Sequence, residues 1–272
     1  MCGWYPNLSW IPMFLGCLTV VTFFVSYAIA IYEGDVAAYF PYISDTGANT
    51  PESCIFGEFL NIAAFLAFIT IFIRFKLVSS FTRDTIRSVK ILNVIGMVIG
   101  AISSFGLTMV ANFQDNKIEV VHIIGASFVF GLGVAYTWVQ VAISFLMYPD
   151  YNALTICVVR AVMSCISTIS MVMAFITAII ANHEWFSSGS HDHSRSVWKP
   201  TDPGFDEHIV STFSEWVMAI AFVLYFFTFI RDFQKIKLKV TVDPLVQHLG
   251  EAPPPRNVAP AANETSGLLA HA

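Results

Sequence analysis

The sequence predicts an all-α, polytopic membrane protein: a bundle of six transmembrane helices with both termini in the cytosol. Three observations carry that expectation. Of the 272 residues, 56% are hydrophobic and only 12% charged, against about 25% charged in an average soluble domain. Apolar runs of about 20 residues, enough to cross a hydrocarbon core of roughly 30 Å, recur through the chain. They lie near 9–32, 55–73, 91–111, 120–147, 161–181 and 209–230. Backbone in lipid must satisfy its own hydrogen bonds, so these runs are read as helices. Third, the basic residues are lopsided. Arg74, Lys76, Arg83, Arg87 and Lys90 crowd the 2–3 loop, Arg160 borders the 4–5 loop, and Arg231, Lys235, Lys237, Lys239 and Arg256 follow the last span. Only Lys117, Arg195 and Lys199 fall on the other side. Eleven against three is a positive-inside bias that places both termini in the cytosol.

The first span runs from Ser9 to about Tyr32, with Trp4, Tyr5 and Trp10 at one end and Tyr32, Tyr39 and Tyr42 at the other as interfacial aromatics. A cleaved signal peptide ending at Ala28-Ile29-Ala30 is disfavoured, because no Lys or Arg precedes Arg74 and the apolar run is too long. The 33–54 loop carries Glu33, Asp35, Asp45 and Glu52 without a basic residue. Thr50-Pro51 reads as a helix start. In the second span Glu58 and Asn61 are three apart and share a face near the lumenal end, where a glutamate also complements the helix dipole.

The third span has Gly96 and Gly100 at small-xxx-small spacing, a packing signal. After the turn Asn112–Lys117, His122 opens the fourth span, with Gly125, Gly131 and Gly133 behind it. The fifth span is rich in Ser, Thr and Met, which suits either helix contacts or a wet face. The 182–208 loop holds His183, His191, His193 and His208 among acids. His191-Asp192-His193 lacks a partner at fixed metal-ligand spacing, so a polar loop is the plainer reading. Such a lumenal histidine group changes charge between pH 7 and 5 and suits an acidic compartment. Of five cysteines only Cys54 falls at the lumenal boundary, so no lumenal disulfide is drawn. Cys2 reads as a cytosolic thiol or a palmitoylation site.

One stretch occurs twice. Ser44–Arg74 overlies Thr201–Arg231 without a gap, matching Asp45 with Asp202, Gly47 with Gly204, Phe56 with Phe213, Glu58 with Glu215, and Phe72-Ile73-Arg74 with Phe229-Ile230-Arg231. The pairing nominates a lumenal polar site of Asp45, Glu58, Asn61, His122, Asp202, His208 and Glu215, in which two glutamates at matching depth hold a proton or a cationic headgroup. Helix capping is the structural alternative. Beyond Val242 the chain reads as a disordered cytosolic tail. There Glu264-Thr265-Ser266-Gly267-Leu268-Leu269 has the acidic dileucine spacing that clathrin adaptors read. The sequons at Asn7 and Asn263 are cytosolic in this topology and therefore unused. Basic and aromatic residues at Arg231–Lys235 suit anionic lipid headgroups.

Pro41-Tyr42-Ile43-Ser44-Asp45-Thr46-Gly47, Pro51-Glu52-Ser53, Phe56-Gly57, Val110-Ala111-Asn112-Phe113-Gln114, Glu215-Trp216 and Phe229–Gln234 together resemble the DNA-damage-regulated autophagy modulator (DRAM) family, from the first span to about Val240. The dileucine tail is similar to that of the family's longer-tailed second member. The resemblance implies a six-span protein of lysosomal and endosomal membranes that promotes autophagy and is linked to cell death, with no catalytic residues to carry over. The wider superfamily implies the alternative, membrane lipid handling: GPI-anchor lipid remodelling or phospholipid distribution. A proton-coupled carrier and a scaffold for other membrane proteins are further readings. No cofactor, metal or nucleic-acid partner is expected.

Overall fold

Residues 8–82, 86–189 and 192–237 are described by a computed structural model. The tail with Glu264, Leu268 and Leu269, the sequon asparagines Asn7 and Asn263, Cys2, Arg83, Lys239, Arg256 and His191 lie outside them.

Six helices are long and apolar enough to cross a membrane: α1 (Trp10–Glu33), α2 (Glu52–Thr82), α3 (Arg87–Asn112), α4 (Glu119–Leu146), α5 (Leu154–Ser187) and α6 (Phe205–Phe233). α4 carries a π-helical turn at Phe128–Leu132, and α6 is interrupted near Thr228 and Phe229. Each helix packs on the next, and α6 returns to α1, closing a ring. Six crossings put the two ends of the bundle's chain on one side. We call that side the basic end and the opposite side, with loops 34–51, 113–118 and 188–204, the acidic end.

Lipid tails are as apolar as leucine, so burial inside the ring follows side-chain size and polarity more than hydrophobicity. Phe65, Val98, Ile169 and Ile176 point outward, whereas Thr22, Ser26, Thr70, Ser144, Ser164 and Ser167 are buried. The fifth span's hydroxyls make helix contacts. Ser164, Ser167, Ser170 and Ala174 form the buried face of α5, the hydroxyl of Ser211 on α6 donates to the Ala174 carbonyl at 2.7 Å, and Trp138 Nε1 of α4 donates to Thr168 at 2.9 Å. α3 and α4 come closest where two glycines oppose each other. A Cβ on Gly106 would lie 2.8 Å from the Gly125 carbonyl oxygen, and one on Gly125 would lie 3.1 Å from that of Gly106.

Two arginines expected in the loops are inside the bundle. α2 runs on through Thr82 and α5 starts at Leu154, which makes Arg74 and Arg160 helical, 1% and 0% exposed. Both reach one carboxylate: Asp232 Oδ2 accepts from Arg160 Nη2 at 2.6 Å and from Arg74 Nη1 at 3.3 Å. Gln140 accepts from Arg74 Nε at 3.1 Å, and Ser144 from Arg160 Nη1 at 2.8 Å. Both guanidiniums also stand over the Phe229 ring, at 5.4 and 4.9 Å from its centroid. Charge at membrane depth persists only where such partners meet it, and here they tie α2, α4, α5 and α6 together at the basic end.

Candidate functional site

The loop between α1 and α2 is strapped to α6 by three consecutive residues. Trp216 Nε1 donates to the Pro41 carbonyl at 3.0 Å, the Tyr42 hydroxyl donates to Ser211 Oγ at 2.8 Å, and the Ile43 N–H donates to Glu215 Oε2 at 2.9 Å. Trp216 is boxed by Phe23, Phe24 and Tyr27 of α1, with ring centroids 6.1, 5.6 and 5.8 Å away. Past Ile43 the chain makes a 3₁₀ turn, Asp45–Gly47, pinned by the Thr46 hydroxyl donating to the Ile43 carbonyl at 2.7 Å. That turn carries Asp45 to a buried position, 7% exposed.

A second loop folds over the first. Trp198 stacks on His208 with centroids 4.3 Å apart, and His208 meets the Tyr42 ring edge-on at 5.1 Å. Trp185 packs on Trp198 at 4.7 Å. His193 sits between Asp192, which it contacts through Nδ1, and Asp202, 2.9 Å from Nε2. Asp202 also accepts the Lys199 N–H at 2.6 Å. Hydrogen bonds donated to Asp192 and Asp202 raise the His193 pKa above its usual value.

Two adjoining cavities open beneath these loops. One, of about 400 Å³, has a polar wall of Asp45, Asp115, Glu119, Arg195 and Trp198, and an apolar wall that includes Phe175 and Ile179. The other, narrower at about 150 Å³, runs inside the ring between Leu15, Phe23, Leu60, Ile71 and Phe226. They share Ser44, His122, Ala126, Phe130 and Glu215.

At that junction Glu215 is 9% and His122 6% exposed. His122 Nδ1 lies 2.7 Å from the Phe113 carbonyl. A carbonyl only accepts, so Nδ1 carries a hydrogen there. Arg195 bridges Asp115 at 3.3 Å and Glu119 at 3.1 Å. Burial pushes Asp45 up to about 7; Asp115 adds to the shift and Arg195 opposes it.

Of the seven residues nominated from sequence, Asp45, His122 and Glu215 line the cavities. His208 supports their roof and Asp202 braces the covering loop. Glu58 and Asn61 do not join them. Glu58 is exposed, and Asn61 exchanges hydrogen bonds with Asn112 at 2.9 and 3.1 Å, bracketing α2 to α3. Several of the repeated residues take different environments, although Gly47 and Gly204 are both buried. Phe56 is buried and Phe213 exposed, while Arg74 is buried and Arg231 exposed. Tyr42, Ser44, Asp115, Glu119, Arg195 and Ser211 were not singled out as site residues. The legible signals among them were Arg195, a basic residue in an acidic loop, and the place of Tyr42 and Ser44 in the Pro41–Gly47 stretch.

A ring of six membrane-length helices with a carboxyl-lined, partly apolar cavity at one end defines a polytopic membrane protein with a ligand-sized site inside its bundle. The chain belongs to the Frag1/DRAM/Sfk1/Cwh43P family, whose N-terminal-domain model matches residues 7–236. It is 34% identical over 237 residues to DNA damage-regulated autophagy modulator protein 1 of Homo sapiens, covering 87% of this chain and 95% of the relative. To DNA damage-regulated autophagy modulator protein 2 of Rattus norvegicus it is 37% identical over 270 residues, 98% and 97% of the two chains. Modulator of macroautophagy TMEM150B of Danio rerio is 33% identical over 235 residues, 85% and 88%. No solved structure matches the chain.

Proposed function

We propose that this protein promotes autophagy and the cell death associated with it from lysosomal and endosomal membranes, and that it acts by binding rather than by catalysis. The observation that carries the reading is convergence. The residues that give the chain its family likeness, Pro41–Gly47, the Asn112–Gln114 turn and Glu215-Trp216, meet around one cavity through the contacts Trp216–Pro41, Glu215–Ile43 and His122–Phe113. Relatives similar over nearly their whole length are named autophagy modulators. A binding role suits the side chains, because Glu215, Tyr42 and His122 each hold a loop in place, leaving little freedom for chemistry.

Orientation follows from charge. Setting the two buried arginines aside, nine basic residues still stand against three, which supports the acidic end facing the lumen and both termini facing the cytosol. The Glu264, Leu268, Leu269 signal then lies where clathrin adaptors reach it. A second reading, membrane lipid handling, is favoured by the apolar arm of the cavity.

The test is autophagic flux and the location of tagged protein in cells from which the endogenous copy has been removed. The reading expects reduced flux restored by wild type, lysosomal delivery, and a shift to the plasma membrane with Leu268→Ala/Leu269→Ala. Normal flux without the protein, or residence in the Golgi or endoplasmic reticulum with an intact tail, would overturn it in favour of lipid handling.

A further inference from the structure

We infer that the 192–202 loop is a proton-operated lid on the wide cavity, closed while His193 bridges Asp192 and Asp202 as an imidazolium and released when that ring loses its proton. This assigns a regulation to the site proposed above and rests on reading that cavity as a binding site.

The loop covers the cavity through residues seated on different walls. Arg195 and Trp198 both line it. Arg195 reaches Asp115 and Glu119 beside the start of α4, and Asn182 Oδ1 of α5 at 3.4 Å. Trp198, 4% exposed, is packed between His208 of α6 and Trp185 of α5. Between these two side chains the Ser196 carbonyl accepts the Ala37 N–H of the α1–α2 loop at 3.3 Å. The start and the end of the loop meet where His193 joins Asp202, nine positions on. That one contact closes the segment carrying Arg195 and Trp198 into a ring.

The proton follows from the hydrogen bonds. Both nitrogens of His193 are engaged, Nδ1 on Asp192 and Nε2 on Asp202 Oδ2 at 2.9 Å. Neither acid supplies the hydrogen. Asp202 Oδ2 already accepts the Lys199 N–H at 2.6 Å, and the contacts with His193 and Lys199 hold the Asp192 carboxyl at about 2. Two accepting partners require two N–H groups, so the ring in this arrangement is an imidazolium. Facing the same cluster are the Lys199 ammonium, on Asp192 at 3.2 Å, and the edge of Trp185 from α5, at 5.4 Å between ring centroids. A neutral ring keeps one N–H. One carboxylate then meets a lone pair, and Asp202, its side chain 8% exposed, loses the charge that pairs with it. The bridge raises His193 above its ordinary 6.5, so the closed form holds in full below 6.5 and weakens as pH climbs through the raised value. Asp45, on the cavity wall with Arg195, ionises near about 7 and then attracts Arg195 more strongly. Release therefore frees the Trp198 end of the loop and leaves the Arg195 end anchored.

The experiment is hydrogen–deuterium exchange with mass spectrometry on the full-length protein in phosphatidylcholine nanodiscs between pH 5.5 and 8.5, each rate divided by the intrinsic rate at that pH. Protection of residues 193–202 should stay constant up to about pH 6.5 and then fall by up to about tenfold per pH unit, the slope for loss of one proton, while α2 keeps its protection throughout. His193→Gln, which keeps one donor, and Asp202→Asn, which keeps an oxygen for the Lys199 N–H, should each flatten the profile. Asp45→Asn should leave it sloped. The thiol of Ser44→Cys, at the cavity, should be alkylated faster relative to the exposed Cys54 as pH rises. A flat wild-type profile overturns the proposal, as does a slope that His193→Gln leaves unchanged, or loop release without faster labelling of Ser44→Cys. The wild-type series decides the matter even if a variant does not fold. A flat profile with flux still lost in Asp45→Asn/Glu215→Gln removes the lid and leaves the site; a sloped profile with flux fully rescued by that variant does the reverse.

Discussion

The backbone N–H of Ile43 donates to Oε2 of Glu215 at 2.9 Å, joining positions 172 apart in the chain. One carboxyl oxygen thus fixes the α1–α2 loop on α6 while the rest of the group faces the cavities. The strap separates two substitutions. Glu215→Gln keeps a carbonyl acceptor and should leave the loop in place. Glu215→Ala strands a buried N–H, a loss of about 1–3 kcal/mol. Limited proteolysis of the 34–51 loop and thermal unfolding should therefore show the alanine variant loosened and the glutamine variant close to wild type. Equal loosening in both would contradict the strap.

The basic end makes a larger prediction. Asp232 is the shared carboxylate of two buried guanidiniums, and removing one partner of a buried ionic group typically costs about 3–5 kcal/mol. Asp232→Ala should lower yield and melting temperature more than any single change at the acidic end. Arg231→Ala, next in the chain and exposed, should change neither. Both are measured by fluorescence-detected size exclusion over a temperature series.

Packing of α3 on α4 distinguishes two glycines six positions apart. A Cβ on Gly125 would meet Met109 Cβ at 2.8 Å and the Gly106 carbonyl at 3.1 Å, whereas one on Gly131 meets nothing within 4 Å. Gly125→Ala should destabilise by about 1–3 kcal/mol through overpacking. Gly131→Ala should be neutral or slightly stabilising.

Stability should also depend on pH in a defined direction. Asp45 has an ordinary value of 3.8 and is held at about 7 by burial, with Asp115 adding and Arg195 opposing. Across that window the folded protein keeps a proton that the unfolded chain has lost, so stability falls as pH rises. His193, raised by Asp192 and Asp202 and facing Lys199, acts the same way. Its contribution is complete below 6.5 and lost as pH climbs through its folded value. The melting temperature should be higher at pH 5 than at pH 7.5, by several degrees given about 2–4 °C per kcal/mol for a chain of this size, and Asp45→Asn should remove much of the difference. The protein is held most firmly where the acidic end meets acidic solution.

The six spans were legible because hydropathy over about 20 residues is a local signal. Arg74 and Arg160 were not. Their partner Asp232 lies 158 and 72 positions away, and a charge near a helix end looks the same in sequence whether it is solvated or paired. The repeat was real as a sequence pattern but misled about geometry. Glu58 and Glu215 occupy matching positions, yet α2 turns its glutamate outward and α6 turns its own inward. Asp45, His122 and Glu215, which line the cavities, could be nominated because ionisable groups near a span stand out. Arg195, Tyr42 and Ser211 were missed because only the folded loops bring them to the cavity.

The central claim is that the acidic-end cavity is where this protein acts. Its most direct test is rescue of autophagic flux in cells lacking the protein, comparing wild type, Asp45→Asn/Glu215→Gln and Glu58→Gln at equal abundance and with the same membrane location. Full rescue by wild type and Glu58→Gln, with little by the cavity variant, is the predicted result. Rescue by the cavity variant equal to wild type would contradict the claim and move the site elsewhere in the bundle.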